Sequence, residues 1–150
     1  MTLGKQIDVV AGLIFCSERL LVCQRRRDSI FPLKWEFPGG KIEEGEAAIA
    51  ALRRELKEEL DIEIREAKLF CTHEHIYPDG PTVSLQFFSV REFAGEVKNL
   101  VFERILWTQL AQLERLDFLE GDLPIVQRLA KDGVAVLLDQ PREGGLKQII

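Results

Sequence analysis

Three glutamates near the middle of the chain are spaced so that their carboxylates could share one metal ion. Glu55, Glu58 and Glu59 lie in a segment, residues 47–60, that contains neither proline nor glycine. A helix turns by about 100° per residue, so one formed here would place the three acids on one flank. Like charges three and four positions apart repel each other, and a positive partner is therefore expected beside them. A solvated, charged helix face is the alternative interpretation.

The segment before this helix favours the metal site over the solvated face. It has the sequence PGGKIEEGE, and its glycines can adopt unusual backbone angles and approach a ligand closely. A glycine carbonyl beside three carboxylates forms an all-oxygen site that suits Mg²⁺ or Mn²⁺. Such a cation can lie between an acidic protein and a small polyphosphate, which makes polyphosphates plausible ligands.

The elements that position these acids can be predicted from apolar periodicity. Ile49, Leu52, Leu56 and Leu60 recur at spacings of three and four, as in an amphipathic helix. We also expect a hairpin over residues 8–24, strands over 61–64, 68–76, 83–93 and 101–107, and a second helix over 123–131. This mixed order predicts an α/β sandwich in which helices pack on a mixed sheet.

Length and charge exclude several classes of protein. The chain has 150 residues, which favours one domain, over residues 1–139, followed by a Gly-rich tail over 140–150. A net charge of −5 argues against a partner such as duplex nucleic acid. No apolar run approaches the length of a membrane span, so we expect a cytoplasmic protein, either a monomer or a homodimer. Its cysteines, Cys16, Cys23 and Cys71, are expected to be buried strand thiols.

The helix and its preceding loop together resemble a known family. The string GKIEEGEAAIAALRRELKEELDI is similar to the Nudix box, which requires Gly, Glu, Arg-Glu and Glu-Glu at fixed intervals. The positions that match are Gly40, Glu46, Arg54, Glu55, Leu56, Glu58, Glu59 and Ile62. Asp61 stands where the box has a helix-ending glycine, and aspartate can adopt the same left-handed conformation. The wider resemblance, to the MutT-like branch, runs from about Val9 to Leu129.

This resemblance implies a fold, a reaction and a set of roles. The fold would be the Nudix-type α/β/α sandwich, and the reaction would be hydrolysis of a nucleoside diphosphate linked to another group, with Mg²⁺ or Mn²⁺. Arg54 would orient Glu55 through a salt bridge, and Glu46 would steady the junction between loop and helix. The metal ligands it implies are the carbonyl of Gly39 and the carboxylates of Glu55, Glu58 and Glu59.

A further acid at the metal is implied by the same resemblance. MutT-like enzymes take it from a loop after the sheet, a few residues before a tryptophan. Glu103, four residues before Trp107, is the candidate, although the more usual position holds Val101. Glu96 is the second choice, and a plain surface role for Glu103 stays open.

Residues elsewhere are candidates for substrate binding. Asp122 occupies the position at which MutT-like proteins contact the nucleobase, and it could also cap the second helix. An ionised carboxylate only accepts hydrogen bonds, which favours the amino group of cytosine without excluding 8-oxo-dGTP. Arg25 is the candidate for phosphate, and Phe37 and Trp35 could stack on a base or simply pack. His73 and His75 alternate on a strand, which allows but does not establish metal binding.

The sequence therefore predicts a Mg²⁺-dependent nucleoside triphosphate pyrophosphohydrolase that releases a nucleoside monophosphate and pyrophosphate. Hydrolysis of ADP-ribose or of another nucleoside diphosphate derivative is the second enzymatic hypothesis. A module that senses a nucleotide without cleaving it is the alternative of another class. Such modules tend to lose the acids of the helix, and this chain has all of them.

Overall fold

The structure, a computed structural model of the chain, describes residues 5–133. Its strands are β1 (Gln6–Cys16), β2 (Arg19–Gln24), β3 (Trp35–Glu36), β4 (Gly39–Lys41), β5 (Glu63–Ile76), β6 (Thr82–Ala94) and β7 (Arg104–Gln109). Its α-helices are α1 (Ala48–Leu60) and α2 (Leu123–Asp132), and two 3-10 turns cover Leu110–Arg115 and Glu120–Asp122. The predicted helices and the predicted hairpin are thus confirmed.

Strand β1 organises a mixed sheet. The strand order is β3-β2-β1-β6-β5, with β4 paired to β1 and β7 paired to β2. The β1–β6 pair is parallel, whereas β1–β2, β1–β4 and β5–β6 are antiparallel. The chain therefore leaves the sheet after the glycine strand β4, forms α1 and returns as β5. This connection places α1 against the sheet next to the glycines.

Apolar side chains fill both sides of the sheet. On one side α1 buries Leu52, Leu56 and Leu60 against Val10 and Ile14 of β1. On the other side lies a second core cluster, whose members include Leu13, Phe87, Leu113, Val126 and Leu129. Because consecutive residues of a strand face opposite sides, β1 contributes to both clusters. The result is the predicted α/β/α sandwich.

Three of the predicted strands have different bounds in the structure. The segments predicted as two strands over 61–64 and 68–76 form the single strand β5, because irregularities in its pairing with β6 interrupt the apolar alternation. Strand β7 starts three residues later than predicted. The amide side chain of Asn99 bonds both backbone groups of Phe102, and this local turn holds the preceding segment out of the sheet.

The end of α1 follows the expectation for Asp61. This residue has φ 58° and ψ 40°, a left-handed conformation, and its backbone N–H donates to the carbonyl of Lys57. Lys57 also pairs with the Asp61 carboxylate at 3.0 Å, and Lys98 lies 3.5 Å from it. These cations compensate for the absence of glycine, so the helix ends where the box requires.

The cysteine prediction is confirmed for Cys23, which is buried, and Cys71 is partly buried. It was wrong for Cys16, which is exposed because β1 ends there at the turn to β2. The predicted tail over residues 140–150 and the boundary at 139 lie outside the described residues. No helix in the described part of the chain is long and apolar enough to cross a membrane.

Candidate active site

Arg54 connects the loop before α1 to the acids of α1. Its guanidinium donates to both carboxylate oxygens of Glu46 at 3.0 Å and to Glu55 at 2.8 Å. A further bond, 3.1 Å long, reaches the carbonyl of Lys41 at the end of β4. The hydrogen bonds to Glu46 and Glu55 hold the pKa of Arg54 above its usual range. The bonds from Arg54 also lower the pKa of Glu46. The predicted Arg54–Glu55 salt bridge is therefore present, and Glu46 does join loop and helix.

The two glycines of β4 let the backbone approach other groups closely. Gly39 has φ +154°, and a Cβ there would lie 2.0 Å from the carbonyl oxygen of Val10. A Cβ on Gly40 would lie 2.5 Å from the carboxyl carbon of Glu55. A side chain at position 39 would collide with backbone, whereas one at position 40 would displace the Glu55 carboxylate.

The Gly39 backbone is directed toward α1. Gly39 lies opposite Ala11 in the β1–β4 ladder, next to the bonded pair in which Gly12 donates to Pro38. Bonded and non-bonded positions alternate in an antiparallel ladder, so the N–H and C=O of Gly39 face away from β1. The N–H donates to a carboxylate oxygen of Glu59 at 3.1 Å. The neighbouring carbonyl oxygen is thus directed to the side on which the helix acids lie.

Glu59 is a buried acid in an environment that disfavours its charge. Burial, and then the charges of Glu55 and Glu36, raise the pKa of Glu59 to about 9, although the N–H of Gly39 opposes the shift. The negative charge of Glu55 thus acts directly against ionisation of Glu59. A divalent cation would relieve the same repulsion, so this pair fits a cation better than it fits solvent.

Glu58 is less confined than its two neighbours. Its side chain is 60% exposed, and its carboxylate lies 3.9 Å from Arg54. Throughout residues 5–133, no three His, Cys, Asp or Glu side chains are already arranged as metal ligands. The donors that fit Mg²⁺ are nevertheless adjacent, since Glu58 lies one turn from Glu55 on α1. Oxygen ligands from Glu55, Glu59 and Gly39 would form the inner part of such a site.

Glu36 belongs to this cluster, and sequence reasoning missed it. It lies on β3 between two buried aromatic residues, and burial raises its pKa while Arg25, at 3.1 Å, lowers it. Its charge raises the pKa values of both Glu59 and Asp122. Glu36 therefore connects the helix acids to the predicted base-binding residue. A single acid between two aromatic residues in the string WEF was the signal that could have found it.

Asp122 is buried and directed inward. Burial, and then the charge of Glu36, raise its pKa to about 8, although the backbone N–H of Phe37 opposes the shift. Asp122 is the N-cap residue of α2, as predicted, but its side chain makes no capping bond. Its backbone (φ −93°, ψ −10°) continues the preceding 3-10 turn into the helix and so leaves the side chain free to turn inward. The pKa also means that Asp122 is mainly neutral at pH 7, unlike the ionised group assumed from sequence.

Phe37 and Trp35 are core residues in the structure. Phe37 is only 4% exposed, and its ring packs against Phe87 and Phe118 at centroid distances of 6.3 and 5.2 Å. Trp35 is equally buried and lies under the guanidinium of Arg104. Little of the Phe37 ring is available to stack on a base, and packing is the interpretation that its burial supports.

Glu103, the candidate for a further acid at the metal, forms an ion pair with Arg27. Glu103 lies 3.1 Å from Arg27, which lowers the pKa of Glu103, and its backbone N–H donates to the carbonyl of Gln24. Arg25 is occupied by Glu36 and by the carbonyl of Ile30. The structure thus pairs Glu103 with arginine and not with the helix acids.

His75 has a different partner from the one that a metal site would require. Its ring nitrogen lies 3.1 Å from Glu120, and the His73 ring centroid is 6.4 Å away. The two rings share one side of β5, as their alternation predicts. The described residues provide no third ligand beside them.

Comparison with known proteins assigns the family. The model of the NUDIX domain matches residues 6–129. This chain belongs to the Nudix hydrolase family, whose members cleave phosphoanhydride bonds, and its relatives place it in the MutT-like branch. It is 38% identical over 95 residues to the 8-oxo-dGTP diphosphatase of Proteus vulgaris, covering 62% of this chain and 83% of that protein. It is 30% identical over 123 residues to the CTP pyrophosphohydrolase of Escherichia coli K12, covering 82% and 90%.

Solved structures agree with this assignment. The solution structure of the Escherichia coli ORF135 protein has a TM-score of 0.75 and 29% identity, covering 87% of this chain and 91% of that one. A structure from a study of MutT from Aliivibrio salmonicida and Vibrio cholerae has a TM-score of 0.74 and 32% identity, covering 85% and 99%. The mixed sheet flanked by helices is therefore the fold of the MutT-like relatives.

Proposed function

We propose that this chain is a Mg²⁺-dependent nucleoside triphosphate pyrophosphohydrolase. The observation that carries the proposal is the joint arrangement of Arg54, Glu55, Glu59 and the Gly39 backbone at the junction of β4 and α1. A buried Glu59 that is bonded by the Gly39 N–H and repelled by the neighbouring Glu55 is difficult to explain as part of a solvated helix face. It is explained if a divalent cation is held there during function.

The residues of the chain would each have a distinct part in the reaction. Glu55, Glu59, Glu58 and the Gly39 carbonyl would hold Mg²⁺, which when bound neutralises the phosphates and lowers the pKa of the attacking water. Arg54 keeps the Glu55 carboxylate in place, and Glu46 fixes Arg54 in turn. A carboxylate of this cluster would take the proton of the water.

The overall step is a hydrolysis. The oxygen of water forms a bond to phosphorus, and one bridging P–O bond of the triphosphate breaks. The products are a nucleoside monophosphate and pyrophosphate. Arg25, next to Glu36 on the path from the helix acids to Asp122, would contact the phosphates.

Asp122 would read the base. As a neutral carboxylic acid it both donates and accepts one hydrogen bond, so it can pair with an adjacent donor and acceptor. Cytosine offers such a pair at its amino group and ring nitrogen, and 8-oxoguanine offers one at its ring N–H and carbonyl. The named activities of the two relatives, on 8-oxo-dGTP and on CTP, agree with these two bases.

Two other hypotheses are weaker. Hydrolysis of ADP-ribose or of a related compound would use the same metal site, but nothing in the described residues favours a second nucleoside. A sensing module that binds without cleavage would not need the carboxylates of α1, all of which are present. A cytoplasmic location and a monomeric or homodimeric state stay predictions.

The test is a panel of substrates with Mg²⁺: 8-oxo-dGTP, dGTP, CTP, dCTP and ADP-ribose. We expect pyrophosphate release from 8-oxo-dGTP or from a cytosine nucleotide, at a higher kcat/KM than from dGTP. Phosphate or AMP release confined to ADP-ribose would move the assignment to the second hypothesis. Binding of nucleotides with no product at all would contradict an enzymatic function.

A further inference from the structure

Two stacked aromatic rings, one exposed and one half-buried, lie near Asp122. The rings of Phe31 and Tyr77 are stacked with a centroid distance of 5.9 Å and an interplanar angle of 22°. Phe31 is 46% exposed and comes from the loop between β2 and β3, whereas Tyr77 follows the end of β5. Two loops that are remote in sequence therefore present one aromatic surface.

Tyr77 is tied to the segment that carries Asp122. A Cβ at Gly121, the residue before Asp122, would lie 3.5 Å from the hydroxyl oxygen of Tyr77, so the two are close neighbours. On its other side the ring meets the ring of His75 edge-on at 4.4 Å, and His75 in turn bonds Glu120. The Tyr77 ring is thus fixed from two sides, next to the buried acid.

Phe31 is held outward by its backbone. It has φ +56°, a left-handed conformation that a bulky residue seldom adopts, and Leu33 has φ +62°. The loop keeps this shape through Arg25, whose Nε donates to the carbonyl of Ile30 at 2.8 Å while its terminal nitrogen bonds Glu36. Backbone strain of this kind persists where the surroundings impose it, and it is frequent at ligand sites.

We propose that Phe31 and Tyr77 form the outer wall of the nucleotide site, against which the base of the substrate stacks while Asp122 bonds its edge. This inference rests on the proposed function and adds residues that the box and the helix acids do not include. Every nucleobase has a flat face, so the wall supplies binding energy and Asp122 supplies the choice of base. Purines cover more of the wall than pyrimidines do and should depend on it more.

The loop that carries Phe31 is also bonded to Arg25, the residue predicted to contact phosphate. Because Arg25 bonds both Ile30 and Glu36, the position of the aromatic wall is coupled to the group predicted to contact phosphate. The wall would therefore be aligned with the phosphates before substrate arrives, which lowers the entropic cost of binding.

The test compares binding of GMP with binding of pyrophosphate, by calorimetry in Mg²⁺, for wild type, Phe31→Ala and Phe31→Tyr. We expect Phe31→Ala to weaken GMP at least about fivefold, the lower range for loss of one base–aromatic stack. Phe31→Tyr should retain GMP binding, and pyrophosphate should bind all three proteins equally. In turnover, Phe31→Ala should raise KM more than it lowers kcat.

A matched control is Ile76→Ala. Ile76 is 71% exposed and precedes Tyr77, but as the next residue along the strand it faces the other side. This variant should bind GMP like wild type. Unchanged GMP binding by Phe31→Ala, equal weakening of GMP and pyrophosphate, or absence of GMP binding by wild type would each overturn the wall. If GMP binding depended on Phe31 but the protein cleaved no substrate, the aromatic wall would be supported and the proposed function contradicted.

Discussion

The carboxylate of Glu55 lies directly over the backbone of Gly40. A Cβ at position 40 would lie 2.5 Å from the carboxyl carbon of Glu55 and 2.6 Å from one of its oxygens. Glu55 is at the same time held by Arg54 at 2.8 Å, so it cannot move aside without losing that bond. The glycine of the loop and the acid of the helix therefore define each other's position, and this explains why the two motifs occur together.

Gly40→Ala is expected to displace the Glu55 carboxylate and to lower kcat at least about 100-fold, the cost of a misplacement near 1 Å. The control is Gly45→Ala, since Gly45 also belongs to the loop but a Cβ there meets nothing within 4 Å. That variant has a strained φ of +79° and should lose some stability with kcat retained. Equal kcat for both variants would contradict the close contact.

Arg54→Lys is expected to lower kcat by about 10- to 100-fold, as for other residues that orient metal ligands. A lysine retains the charge but cannot bond Glu46 and Glu55 at once, as the guanidinium does. Arg53→Lys is the matched control because Arg53 donates to the carbonyl oxygen of Ile64, away from the acids. Similar kinetics for both variants would show that charge alone is sufficient at position 54.

Asp122 should make stability depend on pH. Its pKa is about 8 in the folded protein, above the ordinary value of 3.8. Between these pH values the folded state retains a proton that the unfolded state has released, so the free energy of unfolding falls as pH rises. Asp122→Asn removes this contribution. Between pH 5 and pH 8, its free energy of unfolding should therefore rise relative to that of wild type by at least about 1.4 kcal/mol, the equivalent of one pKa unit. Chemical denaturation at both pH values measures the difference, and a constant difference would mean that Asp122 is ionised in the fold.

The same substitution should change substrate preference. Asparagine keeps an acceptor and always donates, whereas the neutral acid can exchange its donor and acceptor oxygens. The ratio of kcat/KM for CTP to that for 8-oxo-dGTP should therefore shift in Asp122→Asn. An unaltered ratio would restrict Asp122 to a structural bond with Phe37.

Glu103 can be tested against its ion-pair partner. If it acts at the metal, as the resemblance predicts, Glu103→Gln should lower kcat and raise the Mg²⁺ concentration needed for half-maximal rate. Arg27→Gln removes the same ion pair, whose nitrogen–oxygen distance is 3.1 Å, and should leave both values near those of wild type. A loss of activity in Arg27→Gln alone, or equal losses in both variants, would limit Glu103 to its role in the ion pair.

Features set by local sequence could be predicted. The apolar spacing of α1 and the left-handed end at Asp61 depend on neighbouring residues, and both agree with the structure. The Arg54–Glu55 pair could be anticipated because the two are adjacent in a recognisable motif. The sheet class followed from the order of helices and strands.

Features set by tertiary packing could not be predicted from the sequence. The neutral state of Asp122 depends on burial and on the charge of Glu36, which is 86 residues away in sequence. Glu36 becomes part of the site only because the fold brings its charge close to both Glu59 and Asp122. Likewise, the Phe31–Tyr77 stack joins two loops that are remote in sequence, and neither loop's sequence indicates the contact.

Glu58→Gln tests the metal site most directly, because a side chain that is 60% exposed can be replaced without unfolding the protein. Pyrophosphate release from the preferred nucleotide should be measured with Mg²⁺ for this variant, for wild type and for Glu66→Gln, an exposed acid on β5. We predict a fall of about 100-fold or more in kcat for Glu58→Gln, with unchanged thermal stability, and wild-type rates for Glu66→Gln. Undiminished turnover by Glu58→Gln would contradict a metal site on α1.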